Sequence, residues 1–197
     1  MSARDQQRRQ IRRQRSELFE EDIRSNSAAI AEQLVSHPIF LNSRKIACYL
    51  PSRGEVDTSL IIEYAWALGK HVYLPVLSPL GQNRLWFARH DSGQKVRLNR
   101  YGIVEPVFSR HDLIKPIQLD LVLAPLVGFD RQGNRLGMGG GYYDRTFSFL
   151  IQRKYWHRPW FVGLAYQFQQ LHQLEYRSWD VRLHGVVTEE HLIKFKH

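Results

Sequence analysis

The chain has 197 residues, 43% of them hydrophobic and 24% charged, and a formal net charge of +9 at pH 7. This is the composition of an ordinary globular domain with a substantial core, and no apolar stretch approaches the length of a membrane span. The chain has a single cysteine, Cys48, which lies in an apolar strand pattern and excludes an internal disulfide framework. Because one unpaired cysteine fits a reducing compartment, we predict a cytoplasmic protein.

The positive charge is concentrated at the start of the chain. Residues 1–15 contain six arginines and one acidic residue, Asp5. A basic surface of this kind favours anionic partners. Nucleic acid and a polyanionic nucleotide are both compatible with it, and charge alone does not choose between them.

The first half of the chain alternates helix and strand patterns. A long helix is predicted from Ala3 to Val35, interrupted near residues 19–22, where a cluster of acidic residues restarts it. The remaining predicted elements of this half are a strand at Lys45–Leu50, a helix that begins at Asp57–Thr58 and ends at Leu68, a strand at His71–Val76 and a strand at Leu85–Ala88.

The second half continues the alternation. Its predicted elements are a buried strand at Leu119–Ala124, a helix that follows a glycine-rich turn and runs to about Lys154, and strands at Phe161–Ala165 and Gly185–Thr188. Such an order predicts an α/β fold: a single three-layer, Rossmann-like domain over residues 1–197, with a mainly parallel sheet and helices on both faces. We find no repeat and no domain boundary.

The segment Gly128–Arg145, with the sequence GFDRQGNRLGMGGGYYDR, joins the buried strand to the next helix. Glycines let the backbone approach a ligand closely, and N–H groups at a helix start face an anion. Asp144 is placed to hold a hard cation, and Arg135 and Arg145 carry guanidinium groups suited to phosphate. The pattern indicates a Mg-nucleotide or another phosphorylated ligand. It is not a Walker A motif, because it lacks the Gly-Lys-Ser/Thr run of that motif. It is not a dinucleotide fingerprint either, because Tyr142 stands where the third glycine would be. A tight glycine turn is the alternative.

This segment closely resembles the signature of the 5-formyltetrahydrofolate cyclo-ligases, also called methenyltetrahydrofolate synthetases. Further matches lie at Tyr49–Thr58, in the basic N-terminal helix and at Trp179–Glu189, in family order over nearly the whole chain. The resemblance implies ATP-dependent closure of 5-formyltetrahydrofolate to 5,10-methenyltetrahydrofolate through an N5-iminium phosphate, with Mg²⁺, and with release of ADP and phosphate.

The resemblance also implies site residues. Those with catalytic roles are Glu55, Arg145 and Tyr142. Those that bind ATP are Arg4, Arg8, Arg135, Leu136, Gly137, Met138, Gly139, Gly140, Gly141, Tyr142 and Tyr143. Those that bind the folate are Leu50, Glu55, Met138, Gly139, Gly140, Gly141 and Tyr142, and the metal ligands are Asp144 and Asp180.

Several of these positions have a structural alternative. Glu55 precedes a helix start and could be an acid favoured by the helix dipole, although Asp57 is the better cap. Asp180 could be a turn aspartate, and one of the two tyrosines at 142 and 143 could be a packing residue. Arg4 and Arg8 share a helix face. We assign the other arginines of this region, Arg12, Arg13 and Arg15, to a solvated basic face.

Two other functions compete with the cyclo-ligase interpretation. A nucleic-acid-binding protein would use the charge and the aromatic residues of Tyr155–Trp160, although no recognised nucleic-acid-binding motif occurs. A phosphotransferase would explain the glycine segment but not Tyr49–Thr58. We therefore predict small-molecule partners, ATP and a 5-formyltetrahydrofolate with one or more glutamates, with no nucleic acid and no membrane, for a monomeric protein.

Overall fold

The computed structural model describes residues 2–78, 83–98, 104–152 and 158–196. Within them the α-helices are α1 (Ala3–Ser16), α2 (Glu20–Val35), α3 (Pro38–Leu41), α4 (Ser59–Ala67) and α5 (Tyr142–Phe147). None of these helices is long and apolar enough to cross a membrane. Lys154, the predicted end of the last helix, and residues 155–157 of the predicted aromatic stacking segment lie outside the described residues.

The predicted interruption of the N-terminal helix is confirmed. α1 ends at Ser16, and α2 begins after Phe19, whose backbone N–H donates to the Asp22 carboxylate. The prediction of a long helix after the glycine segment is wrong, because α5 ends at Phe147 and a 3₁₀ turn, Ser148–Leu150, follows it. The Thr146 hydroxyl donates to the Tyr142 carbonyl, a local bond that weakens a helix.

The helices α4 and α5 each lie between two strands, but the strands between these helices follow one another with no α-helix in the described residues. The strands are β1 (Lys45–Ala47), β2 (His71–Leu77), β3 (Leu85–Arg89), β4 (Val96–Leu98), β5 (Val104–Pro106), β6 (Leu113–Ile114), β7 (Leu121–Pro125), β8 (Gly128–Phe129), β9 (Arg135–Leu136), β10 (Trp160–Leu164), β11 (Gly185–Val187) and β12 (Leu192–Lys194). The short strands β4, β5, β6, β8, β9 and β12 were not predicted, since two or three residues carry no readable periodicity.

Eight strands form one sheet in the order β12-β11-β10-β7-β1-β2-β3-β6. The five central strands, from β11 to β2, run parallel to one another, whereas β12, β3 and β6 pair antiparallel. The prediction of a mainly parallel sheet is therefore confirmed for its centre, and the edges make the sheet mixed. β4 pairs with β5, and β8 pairs with β9, in two separate hairpins.

Helices cover both faces of the sheet, as predicted. Ile46 and Leu121 point to the face covered by α2 and α4, and Val122 points to the opposite face, where it packs in the same cluster as Phe147 of α5. Each large apolar side chain buried in these two layers stabilises the fold by about 1.5–3 kcal/mol. Cys48 packs in the first layer, and its complete burial raises the pKa of its thiol to about 12, so it is a packing residue.

β1 ends three residues earlier than predicted. The backbone carbonyl of Tyr49 accepts a hydrogen bond from the Thr58 hydroxyl at 2.5 Å. In a longer strand this carbonyl would instead accept from a backbone N–H of a neighbouring strand. The Cys48 N–H still donates to the Tyr73 carbonyl of β2, and the chain leaves the sheet after Cys48 and enters the loop Pro51–Thr58.

Candidate functional site

The two segments predicted to form a site leave the sheet side by side. β1 and β7 are neighbours and run parallel, with Ile46 opposite Leu121. Ligands of such sheets bind beyond the carboxyl ends of the strands. The loop Pro51–Thr58 follows β1 at this edge, and the β8–β9 hairpin with the glycine segment follows β7. The sequence prediction that the two motifs meet at one edge is consistent with this topology.

Helix α1 connects the two segments. Arg8 Nε donates to the Gly137 carbonyl at 2.9 Å, and Arg15 lies against the other segment, with its Nη1 3.8 Å from Glu55 Oε1. A Cβ added to Gly54 would lie 3.0 Å from the Arg15 carbonyl, so the loop also touches the helix backbone. Arg8 and Arg15 are about 10 Å apart along the helix axis.

The inner face of α1 is built from an unusual stripe. Arg4, Arg8, Ile11 and Arg15 follow a 4-3-4 spacing, which places them on one side of a helix. Ile11 packs in a small apolar cluster with Leu136, and the three arginines reach to either side of it. The assignment of Arg15 to a solvated face is wrong, since its side chain is 2% exposed. The missed signal was this spacing, which continues from the Arg4–Arg8 pair.

The outer face of α1 matches the prediction. Arg12 and Arg13 are exposed, and Arg13 Nε pairs with Glu17 at 3.0 Å.

The glycine segment follows a hydrogen-bonded hairpin and is itself open to solvent. The buried Asp130 carboxylate accepts hydrogen bonds from the backbone N–H groups of Asn134 and Leu174, which holds the β8–β9 turn. Beyond it, Gly139 has φ +101° and Gly141 has φ +63°, conformations that side-chain-bearing residues rarely adopt. Met138 is 48% exposed. The backbone from 138 to 140 is thus free to meet a ligand.

The start of α5 folds back over the glycine segment. The Arg145 guanidinium donates to the Gly140 carbonyl and lies 5.5 Å from the centre of the Tyr142 ring. Its Nε donates to the Asn83 carbonyl at 3.0 Å. Tyr143 instead stacks on Phe161, and burial raises the pKa of its hydroxyl. Of the two predicted tyrosines, Tyr143 is the packing residue and Tyr142 lies beside the glycines.

Beside the glycine segment, two arginines and two aspartates form a compact cluster. Arg135 Nη2 lies 2.5 Å from Asp144 Oδ1, and Arg4 Nη1 lies 2.8 Å from Asp180 Oδ2. The two pairs are linked by the Val181 N–H, which donates to Asp144 Oδ1 at 3.1 Å. Burial lowers the pKa of Arg135, and Asp144 opposes that shift. The four charges cancel, which allows the cluster to be buried.

The predicted metal ligands, Asp144 and Asp180, are each paired with an arginine through one carboxylate oxygen. The recorded hydrogen bonds use Oδ1 of Asp144 and Oδ2 of Asp180, and each carboxylate has a second oxygen. Over the described ranges there is no group of three or more His, Cys, Asp or Glu side chains suited to a metal. Mg²⁺ is commonly held by one or two carboxylates, with water and substrate phosphates completing its shell.

Glu55 is a buried acid with weak compensation. Its side chain is 9% exposed, its Oε2 accepts from the Ser52 N–H at 3.1 Å, and burial raises its pKa against the opposing effect of Arg15. The N-cap residue of α4 is Thr58, and the acid that accepts from the helix start is Asp57, whose Oδ1 accepts from the Ser59 N–H at 2.9 Å. Leu50 is half-buried and packs at the edge of the core beside this loop.

Three arginines of the site retain unused hydrogen-bond donors. The Nε atoms of Arg4, Arg15 and Arg135 are buried and have no partner among the residues that the structure describes. Buried donors of this kind are rare in native proteins, because each costs about 1–3 kcal/mol when it is left unsatisfied. The charges of these arginines are faced by Asp180, Glu55 and Asp144, so the Nε–H groups, rather than net positive charge, are what remains for a ligand.

Comparison with known proteins identifies relatives over almost the whole chain. Residues 1–189 match the model of the 5-formyltetrahydrofolate cyclo-ligase family. A 5-formyltetrahydrofolate cyclo-ligase of Escherichia coli K12 is 36% identical over 178 residues, which cover 90% of this chain and 96% of the relative. The cyclo-ligase of Haemophilus influenzae is 39% identical, covering 84% and 91%. The NMR structure of Aquifex aeolicus 5,10-methenyltetrahydrofolate synthetase superposes with a TM-score of 0.82 at 31% identity, covering 100% and 94%.

Proposed function

The chain belongs to the 5-formyltetrahydrofolate cyclo-ligase family, whose members are enzymes that form a carbon–nitrogen bond, and on this premise we propose that it closes 5-formyltetrahydrofolate to 5,10-methenyltetrahydrofolate at the expense of ATP. The observation that carries the proposal is the bridge made by α1. One helix places Arg8 on the glycine segment and Arg15 on Glu55, so two ligands that bind these segments would meet beside it.

The nucleotide would bind on the glycine side. Arg4 and Arg8 would present guanidinium groups from α1, each beside a carboxylate, Asp180 and Asp5 respectively. The open backbone from Gly139 to Gly141 would supply N–H groups for phosphate oxygens. The Leu136 side chain is fully buried, so its contribution would be to hold the segment against α1.

Asp144 and Asp180, beside the arginine pairs, would hold a Mg²⁺ ion carried by the nucleotide. Bound there, such an ion neutralises developing charge on the phosphates.

The folate would bind on the side of Glu55. A reduced pterin presents several N–H donors, and a carboxylate with two acceptor oxygens suits them. The Arg15 guanidinium is 3.8 Å from Glu55 and keeps positive charge beside it, so Arg15 is a positioning residue for this carboxylate. Leu50 would provide an apolar wall for the ring, since it is half-buried at the edge of the core.

The proposed chemistry needs positioning and charge stabilisation rather than a protein nucleophile. The formyl oxygen attacks the γ-phosphorus of ATP, the bond to the β–γ bridging oxygen breaks, and ADP leaves. N10 then attacks the carbon of the resulting N5-iminium phosphate, the carbon–oxygen bond breaks as the ring closes, and phosphate leaves with the proton that N10 loses. Arg145 and Tyr142, which lie over the glycine segment, would stabilise the transferring phosphoryl group.

Absorbance spectroscopy tests this proposal directly. The purified protein is incubated with 5-formyltetrahydrofolate, ATP and Mg²⁺, and the near-ultraviolet band of methenyltetrahydrofolate is followed together with ADP release. We expect the band to appear only when ATP is present, with one ADP for each product formed. Phosphate release without the band would indicate a phosphotransferase or an ATPase, and would overturn the proposal.

A further inference from the structure

Residues 174–183, called the aromatic segment below, leave two large aromatic side chains in solvent beside the site. Trp179 is 61% exposed, and Tyr176 is 43% exposed. Tryptophan is highly buried on average in folded proteins, because its ring has a large apolar surface. The indole ring of Trp179 therefore has apolar surface that a planar ligand could cover.

Hydrogen bonds tie both ends of the aromatic segment to the β8–β9 hairpin. At one end the Leu174 N–H donates to the Asp130 carboxylate at 3.0 Å, and at the other end the Leu183 N–H donates to the Gly133 carbonyl at 2.9 Å. The same hairpin leads into the glycine segment. The two exposed rings are thus held by the part of the fold that carries the proposed nucleotide site.

Each exposed ring has a guanidinium group against it. Arg177 Cζ lies 5.6 Å from the centre of the Trp179 ring, and Arg182 Cζ lies 4.5 Å from the centre of the Tyr176 ring. Neither arginine makes an ion pair within the described part of the chain. A cation–π contact favours one orientation of the ring. Because most of Trp179 stays exposed, its ring can still take a second planar group.

Trp179 lies at the nucleotide end of the site. It precedes Asp180, one of the two proposed metal ligands, and consecutive Cα atoms are about 3.8 Å apart. Asp180 pairs with Arg4, whereas Glu55 faces Arg15, which is about 16 Å farther along α1. A planar group on Trp179 would therefore belong to the ligand whose phosphates meet the metal, and not to the folate.

We propose that Trp179 stacks on the base of the nucleotide, with Arg177 positioning the indole ring. The inference rests on the proposed function, since it assigns the phosphates to the glycine segment. Aromatic side chains bind bases through their π-faces, and an adjacent arginine adds a cation–π contribution. Tyr176 is less exposed than Trp179 and farther along the chain from Asp180, so it is the weaker candidate.

A strand of nucleic acid fits this segment less well than a single nucleotide does. Proteins that bind single strands stack successive bases along a positively charged groove that follows the backbone. Here Trp179 lies instead beside two buried arginines, Arg4 and Arg135, whose charges are paired with Asp180 and Asp144. That arrangement suits one triphosphate with its metal ion.

Calorimetry with and without a base tests the stack. The dissociation constants of ATP and of inorganic triphosphate, which has the phosphates but no base, are measured with Mg²⁺ and without folate. The proteins compared are the unchanged chain, Trp179→Ala, Trp179→Phe and Tyr64→Ala. Tyr64 is 45% exposed on α4, away from the site, which makes it the matched control. All of these positions are solvent-exposed, so the variants should fold, and circular dichroism checks this.

We expect Trp179→Ala to weaken ATP binding by about 5- to 150-fold, the range that one base–aromatic stack gives, and to leave triphosphate binding unchanged. Trp179→Phe should keep most of the ATP affinity, because it keeps an aromatic face. Tyr64→Ala should change neither ligand. Unchanged ATP binding in Trp179→Ala would overturn the proposal. Equal losses for ATP and triphosphate would overturn it too, since Trp179 would then only support the phosphate site.

Binding without folate separates this inference from the proposed reaction. If no methenyltetrahydrofolate forms but Trp179→Ala weakens ATP and not triphosphate, the proposed reaction has failed and the stack is supported. If methenyltetrahydrofolate forms and Trp179→Ala binds ATP as the unchanged protein does, the stack has failed and the reaction is supported. Single-stranded RNA whose binding Trp179→Ala weakens, with ATP binding unchanged, would assign the ring to nucleic acid and overturn the proposal.

Discussion

The two sides of the site pair their acids with arginines in different ways. Beside the glycine segment, Asp144 and Asp180 lie 2.5 Å and 2.8 Å from their guanidinium partners, and the charges are closed into a neutral cluster. Glu55, on the other side, is 3.8 Å from Arg15, and its burial is only partly offset. The two close pairs satisfy their carboxylates within the protein. The carboxylate of Glu55 is less well satisfied, so a ligand that donates hydrogen bonds to it would gain more binding free energy.

The same helix provides one partner on each side. Arg4 belongs to the close cluster and Arg15 to the loose pair, and both lie on the inner stripe of α1. The difference between the close and the loose pair therefore depends on the position of the acid at the sheet edge, Asp180 or Glu55, rather than on the helix. The following experiments test whether the close pairs serve the nucleotide and the loose pair serves the folate.

Asp144→Asn should have the largest effect. The amide oxygen can still accept from Arg135 and from the Val181 N–H, but the buried Arg135 loses its counter-charge, so we expect folded protein of reduced stability. The charge that would hold the Mg²⁺ ion is lost, and turnover should be abolished. Steady-state turnover and circular dichroism measure the two properties.

Asp91→Asn is the control for that variant. Asp91 also pairs with an arginine, Arg89, but both side chains are exposed, and they lie outside the site. It should keep full activity. Full activity in Asp144→Asn as well would remove Asp144 from the site.

Glu55→Gln should lower kcat/KM for 5-formyltetrahydrofolate by about 30- to 5,000-fold, the cost of truncating one partner of a buried charged contact. The amide oxygen can still accept from Ser52 and Arg15, so the melting temperature should change little. ATP affinity should remain near normal. Kinetics with each substrate, together with thermal melts, check these three expectations.

The matched control for Glu55 is Glu17→Gln. Glu17 also faces an arginine, Arg13, but it lies on the surface with 60% of its side chain exposed. It should leave kcat/KM unchanged. A clear loss of stability in Glu55→Gln, with turnover per folded molecule unchanged, would mean that Glu55 stabilises the fold and does not bind the folate.

Arg8→Gln should weaken ATP binding by about 1.5–3 kcal/mol, as expected for a lost charged contact to phosphate. Arg13→Gln removes the same charge from the exposed face of α1, where Arg13 pairs with Glu17, and should have much less effect. Nucleotide titration by calorimetry compares the two. Equal losses would mean that the helix acts on the nucleotide through diffuse charge alone.

The pH dependence of stability should show the smallest effect. Burial raises the pKa of Glu55 in the folded protein above its ordinary value of 4.5. The folded state therefore binds this proton more tightly than the unfolded state does. As pH rises above 4.5 through the raised pKa, this group should remove stability, and as pH falls the stability should return.

Urea denaturation at a series of pH values measures this contribution as the difference between the unchanged protein and Glu55→Gln. The unchanged protein should lose stability relative to the variant as pH rises through that window, after which the difference should be constant. In the same window kcat/KM should rise with pH, because the folate site uses the carboxylate. A stability difference independent of pH would mean that Arg15 fully compensates Glu55.

The sequence by itself determined the parts of this molecule that depend on local patterns. The break between α1 and α2, the buried run at β7 and the glycine segment are all readable from spacing and residue type. They are local because capping, hydrophobic periodicity and positive φ act within a few residues. The family resemblance also follows from these contiguous motifs.

Only the tertiary structure decided which charges meet. Arg4 pairs with Asp180 across 176 positions, and Arg15 reaches Glu55 only because β1 and β7 deliver their loops to the same edge beneath α1. An arginine on a helix is as compatible with solvent as with a buried acid until its partner is in place. Burial and pairing are properties of the assembled edge, so the buried role of Arg15 could not follow from its local sequence.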